Sequence, residues 1–499
     1  MKYKIISIIV VISIMFGAFY ITGYKRPINR IHQHQVASTN EDCDSEFCSH
    51  LPLFNITTEE EVPLPVYYDL NGMPLKKKDG RVVFNDATVH AKVEFINNHD
   101  GNNSLNDEAE VVANALFRGR GNSSRLFDKK NYLIKFKDDE FIKDKKVSLD
   151  GLIPDDAWIL HGPFLDKTLL RNYLCHNLTA EISGYAPNVR FCELILNGEY
   201  MGLYVLTEKI DAYKNSAFKI SKTDPDLFET SYILRWDGAD TVPFRQLNTF
   251  ADNSGKRGLS YRHNEKFEII YPSKTLTEAQ KFQIQYELSK LEKALTSKDS
   301  ANRQKGYRAY LDVESFVDYY ILSEFYMNFD AGKRSTYLVK DVRGKIEIHG
   351  WDYNNAFNNY FNDLSDPQLF YLNNTWYDYM LKDEYFVKKV INRYRQLRKT
   401  YLSDEYILNY IDETLEYLGP AIERNNEKWG YSFTDDFIYS DDSLYQSLHP
   451  RKRNPSSYEE AVNDLKEMVV ARGKFMDENI ETLYSRCHES LNKHQGDKR

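Results

Sequence analysis

The sequence predicts an α+β protein of two lobes, a small β-rich lobe followed by a larger, mainly helical one, both carried behind an N-terminal transmembrane segment. Three observations predict it. Up to about residue 211 the apolar residues recur mostly with the period of two that strands require, broken by one helix-like stretch. From about residue 277 the period is mainly that of helices. Ahead of both, an apolar run from about Ile5 to Tyr24 carries no charge for about 20 residues, the length that spans a bilayer. The corresponding segments are 1–24 (anchor or signal), 25–62 (polar stalk), 63–211 (small lobe), 212–486 (large lobe) and 487–499 (charged tail).

The 499 residues suffice for two lobes, and 42% hydrophobic with 28% charged content marks a globular body. A net charge of −9 argues against a non-specific nucleic-acid binder, so no nucleic-acid partner is expected. The N-terminal run lacks a small-x-small cleavage site and has cations on both sides (Lys2 and Lys4; Lys25, Arg26 and Arg30), so it reads as a retained anchor or a signal. Either places the body outside the cytoplasm, membrane-anchored or secreted. Cys43 and Cys48 are spaced for a local disulfide, whereas Cys175 and Cys192 read as buried thiols. With no Cys-x-x-Cys and no Cys/His cluster, structural zinc is not expected.

Residues 82–97 alternate as strands, and 97–107 is a polar loop. A strand, a Gly/Ser turn and a second strand follow in "EVVANALFRGRGNSSRLFDKKNYLIKFKDD". Leu169, Leu170, Tyr173, Leu174 and Leu178 have helical spacing. "NVRFCELILNGEYMGLYVLTEKI" is a hairpin around Asn197-Gly198. A Thr277/Gln280 capping box opens a helix with Ile284, Leu288, Leu291 and Leu295 on one face. Residues 313–329 form a second helix, aromatic on nearly every side and therefore buried, and a hairpin turns around Arg343-Gly344. After residue 376 the chain is mostly helical.

That order is the order of a protein-kinase-like fold, and phosphoryl transfer needs few protein parts. The turn Gly119–Ser124, with Gly119, Gly121, Ser123 and Ser124, offers backbone N–H groups and hydroxyls to phosphates. In the next strand Lys130 shares a face with Tyr132, Ile134 and Phe136, which makes it the first choice for a phosphate-binding lysine, with Lys135 second. Asp330 follows the buried helix. Asp352 follows the hairpin at the exit of the strand that contains Ile346 and Ile348, with Asn354, Asn355 and Asn358 close behind. Singly, each aspartate reads as a turn or cap. Together they are spaced to share one pocket, one orienting an acceptor hydroxyl and the other holding Mg²⁺ or Mn²⁺. His161 and His349 read as structural.

"FRGRGNSSRLFDKKNYLIKF", "LHGPFLDKTLLRNYL", "ELILNGEYMGLYVLTEKID" and "HGWDYNNAFNN" together resemble the spore coat protein H (CotH) kinase-like family, over roughly residues 83–400. The family comprises bacterial spore-coat protein kinases and fungal surface invasins, and its fold resembles an atypical protein kinase. The resemblance implies ATP with Mg²⁺ or Mn²⁺ as cofactors, Asp330 as catalytic aspartate and Asp352 as metal ligand. It places Lys130 in the block of the nucleotide lysine and Glu208 at the crossing between lobes, against the nucleotide. It implies that Asp166 and Arg171 pair to position the small-lobe helix. Five residues after the catalytic aspartate the family usually has an asparagine, a second metal ligand; here the residue is Ser335, a shorter and weaker oxygen donor.

The function expected is transfer of the ATP γ-phosphoryl to Ser/Thr of a surface or spore-coat protein. The alternative is a weak or inactive kinase-like surface protein, an adhesin or coat-assembly scaffold, which Ser335 and the scarcity of ATP outside cells favour. A phosphotransferase acting on a small molecule or glycan is a third.

Overall fold

The computed structural model describes residues 47–487, except 79, 81, 100, 211–219, 239–242, 255–264, 360–369, 373–374 and 435–452. The N-terminal apolar run, Cys43 and the tail from 488 lie outside the described residues. Among the described residues, no helix is long and apolar enough to cross a membrane. Cys48 is disulfide-bonded, and Cys175, Cys192 and Cys487 are buried free thiols.

The small lobe is a closed barrel. Its strands are β2 (Leu53–Thr58), β3 (Val89–Ile96), β5 (Val111–Arg120), β6 (Asn131–Lys137), β7 (Ala157–His161), β8 (Val189–Leu196) and β9 (Glu199–Thr207), in the order β2-β3-β5-β6-β7-β9-β8. A parallel pairing of β2 with β8 closes the ring. Two short strands outside it, β1 (Cys48–Ser49) and β4 (Asn103–Ser104), pair with each other. Residues 47–58 are therefore part of the folded body; their alternation is too short to stand out beside the polar segment that precedes them.

Period-two alternation sends Ala113, Ala115, Phe117, Tyr132, Ile134 and Phe136 into the barrel. In β8 and β9 both faces are covered, so the sequence runs nearly unbroken in apolar residues. Cys192, Leu194, Tyr204 and Leu206 face the barrel interior. Val189, Phe191, Leu203 and Val205 face helix α1 (Arg171–Ser183) and the core of the large lobe. The hairpin turn falls at Asn197 and Gly198, both with positive φ.

The large lobe is built on a four-stranded antiparallel sheet of order β11-β10-β12-β13, from β10 (Tyr232–Gly238), β11 (Glu265–Tyr271), β12 (Thr336–Lys340) and β13 (Glu347–Gly350). Only the β12–β13 hairpin was read from the sequence. Helix α2 (Phe250–Ser254) is a single short turn beside α3 (Glu278–Leu295), whose Thr277/Gln280 capping box is formed on both sides. The buried aromatic helix α4 (Val313–Phe325) ends four residues earlier than its apolar pattern, because the left-handed Met327 turns the chain toward Asp330. Helices α5 (Thr375–Met380), α6 (Glu384–Leu397), α7 (Asp404–Leu418), α8 (Pro420–Trp429) and α9 (Tyr458–Asn479) complete the lobe. Helix α8 packs back on the barrel: Lys129, buried at the foot of β6, donates to Leu203 O and to Asn425 Oδ1, both at 2.6 Å.

Candidate active-site cleft

A cleft of about 680 Å³ opens between the barrel and the four-stranded sheet. Among the segments that line it are the turn after β5, the loop after α4 and the loop after β13. Asp330 and Asp352, 22 residues apart in sequence, both line it.

Asp352 stands directly after β13 with φ of 61°, a left-handed position that turns its carboxylate into the cleft. Its Oδ1 accepts only a long hydrogen bond, 3.4 Å, from the Asn354 N–H. Burial, and then the negative charges of Asp330 and Asp237, push its pKa up to about 6, against the pull of Arg120. Asp330 is also raised, chiefly by burial, and Arg334 and Lys333 oppose this. Two carboxylates that resist ionising in one cleft, with no cation bonded to both among the described residues, suit a divalent metal. The adjoining oxygens agree: Asn355 donates its Nδ2 to Asp330 Oδ2 at 3.1 Å, while its Oδ1 is buried with no hydrogen-bond partner among the described residues. Among the described residues, no group of three His, Cys, Asp or Glu side chains could hold a metal by itself. A hard cation here would take a carboxylate and an amide oxygen from the protein and its remaining oxygens from phosphate and water, the usual Mg²⁺ arrangement.

The loop after β13 is held by α1. Asn172 accepts the Tyr353 N–H at 2.8 Å and donates to Asn354 Oδ1 and to His161 Nε2. Burial drops the His161 pKa to about 3, so it is neutral and accepts that bond. Arg171 pairs with Asp166 at 2.6 Å, both nearly inaccessible, and its Nε donates to Ala356 O at 2.9 Å. Asp166 Oδ2 also accepts the Arg171 N–H, so one carboxylate caps α1 and anchors the ion pair.

Of the turn residues, Gly121, Ser123 and Ser124 line the cleft. Gly121 has φ of 110°, and a Cβ there would meet Ser124 Oγ at 2.1 Å. Gly119 lies inside β5 against Pro65 and does not line it. Ser335 lines it, at a left-handed φ of 46°.

Three assignments from sequence need correcting in their placement. Lys130 precedes β6, and its Nζ folds back onto the carbonyls of Arg125 and Phe127. Lys135 points outward and pairs with Asp144 at 3.1 Å. Glu208 lies under the surface, its Oε2 accepting from both the backbone and side-chain nitrogens of Asn188. None of the three lines the cleft. Among the described residues its permanent cations are Lys77 and five arginines. Arg118 and Arg125 pair with Asp86, Arg235 pairs with Glu268, and Arg120 and Arg334 act through space on Asp352 and Asp330. Arg235, in register with Tyr337 of β12, and Asp237 both arrive on β10. Sequence reading missed them, although "YILRWDG" carries the signal: two charges on one face of an otherwise apolar strand.

The model of the family described as CotH kinase protein matches residues 117–476, well over half of the chain. The inner spore coat protein H of Bacillus subtilis (strain 168) is 23% identical over 235 residues, which cover 47% of this chain and 56% of that protein. The chain thus spans little more than half of that relative, but the family match takes in the turn after β5, both cleft aspartates and most of helix α9, and the chain belongs to the CotH kinase family.

Proposed function

We propose that the protein is an atypical protein kinase acting outside the cytoplasm, which transfers the γ-phosphoryl of ATP to a Ser or Thr hydroxyl of a surface or spore-coat protein. The observation that carries this reading is the meeting of Asp330 and Asp352, from two separate loops, in one cleft edged by a Gly/Ser turn and arginines. Kinase-like family membership and a relative that is a spore coat protein support it.

In this reading Asp330 accepts a hydrogen bond from the acceptor hydroxyl. The hydroxyl oxygen forms its bond to the γ-phosphorus as the bond to ADP breaks, and the proton passes to Asp330. Burial raises the Asp330 pKa, which makes it a better base than a free aspartate. Mg²⁺ or Mn²⁺, held by Asp352 and the Asn355 oxygen, would offset phosphate charge. Ser123 and Ser124 donate to phosphate oxygens from the turn. Asn172 and Arg171 keep the loop from Asp352 to Ala356 in place.

A second reading, a kinase-like scaffold or adhesin without turnover, is favoured by Ser335, whose hydroxyl reaches less far than an amide oxygen. The full chain incubated with γ-labelled ATP and Mn²⁺ or Mg²⁺ separates the two. Label moved to the protein or to a generic acceptor, and lost in Asp330→Ala and Asp352→Ala, supports the kinase. Metal-dependent ATP binding without any transfer supports the scaffold.

A further inference from the structure

A guanidinium kept partly from water with no anion beside it is costly, and such groups mark places where a ligand completes the site. Arg120 is the last residue of β5, and it lines the cleft. Each of its arginine neighbours in the cleft has a partner. Arg118 and Arg125 share Asp86 at 2.7 Å, Arg125 also donates to Gly121 O at 2.6 Å, and Arg235 binds Glu268 at 2.6 Å. The Arg120 side chain makes no hydrogen bond or ion pair among the described residues. It feels Tyr337 and Asp352 only at longer range, while Arg118 and Arg125 repel it. Its backbone is firmly placed. Arg120 pairs across the sheet with Asn131, whose side chain donates to Ser124 Oγ at 3.1 Å and accepts the Gly162 N–H at 2.7 Å.

We propose that Arg120 is the residue that grips the polyphosphate of the nucleotide, in place of a strand lysine. It directly precedes the Gly121–Ser124 turn and lines the same cleft as Asp352, whose charge it feels, so a phosphate held at the serine hydroxyls shares one cleft with the guanidinium and the metal position. The guanidinium fork binds two phosphate oxygens at once, which an ammonium cannot do. The identification of the anion as ATP rests on the kinase reading; the anion site itself does not.

The test is calorimetric titration of the full chain with inorganic tripolyphosphate without metal, with ATP plus Mn²⁺, and with adenosine. Arg120→Ala is expected to weaken tripolyphosphate and ATP by about tenfold or more and to leave adenosine unchanged. Arg120→Lys, which keeps the charge and the packing of the stem, is expected to recover only part of the loss. Lys135→Ala, which removes a cation facing away from the cleft, should match wild type. Arg120→Ala or Arg120→Lys binding both phosphates as wild type does would overturn the proposal. So would equal losses for adenosine, which would mean a collapsed pocket. Arg120-dependent tripolyphosphate binding without ATP binding would uphold the arginine site and overturn the kinase reading. Wild type binding neither would overturn both.

Discussion

Asn355 Nδ2 and Asp330 Oδ2 are joined by a 3.1 Å hydrogen bond, which ties the loop after β13 directly to the loop after α4. One amide therefore does two things. It fixes the spacing of the aspartate loops, and it leaves a buried oxygen, Oδ1, with no hydrogen-bond partner beside the Asp352 loop.

Asn355→Ala removes both. Phosphoryl transfer at fixed Mn²⁺ should fall by about 10- to 100-fold, the usual effect of losing a group that orients a metal ligand. The Mn²⁺ concentration for half-maximal activity should rise with it. An unchanged Mn²⁺ requirement would show that the Asn355 oxygen does not face the metal.

Metal binding should depend on pH through Asp352. With its pKa near 6, this carboxyl is increasingly protonated below that value, and Mn²⁺ must displace the proton. Apparent Mn²⁺ affinity, measured by calorimetry, should fall by about tenfold per pH unit once pH is below about 6. The stability effect has the opposite sense. Because the folded pKa lies above the ordinary carboxylate value, the fold binds more protons than the unfolded chain between the two, and the metal-free protein gains stability as pH falls from about 6 toward that value. Asp352→Asn should abolish that part of the pH dependence of Tm.

Ser335→Asn should strengthen metal-supported activity. The position has φ of 46°, a left-handed conformation in which asparagine is among the better tolerated side chains, so little strain is added. The longer amide brings a carbonyl oxygen further into the cleft. The expected result is a lower Mn²⁺ requirement at unchanged Tm. A raised requirement would mean that the serine position does not serve the metal.

Glu324 and Arg472 form an ion pair at 2.9 Å with neither side chain exposed, between α4 and α9. Glu324 also accepts the N–H groups of Tyr371 and Leu372, and a little further on Thr375 donates to Gly332 O in the Asp330 loop. Glu324→Gln leaves Arg472 charged and buried, and should cost about 3–5 kcal/mol in urea unfolding. Arg472→Met should cost less, because Glu324, whose pKa burial already raises, can take up a proton while an arginine cannot give one up. Equal costs would contradict this account.

Much of the element order was legible in the sequence. The Asn197-Gly198 turn, the Thr277/Gln280 capping box and the β12–β13 hairpin are local devices, and each folds as its residues require. Strands β10 and β11 were not legible. They lie on either side of a polar segment of about 25 residues, and only the pairing of β10 with β11 on one side and β12 on the other identifies them as part of the sheet. That pairing is what brings Arg235 and Asp237 to the cleft.

The sequence alone determined that two aspartates would leave neighbouring elements within reach of each other, because turn chemistry and hydrophobic period act over a few residues. Tertiary structure alone decided which cation faces them. A long side chain takes its role from the partners the fold places around it. Lys130 finds carbonyls three and five residues back and is spent on them, while Arg120 reaches the cleft with no anion paired to it among the described residues.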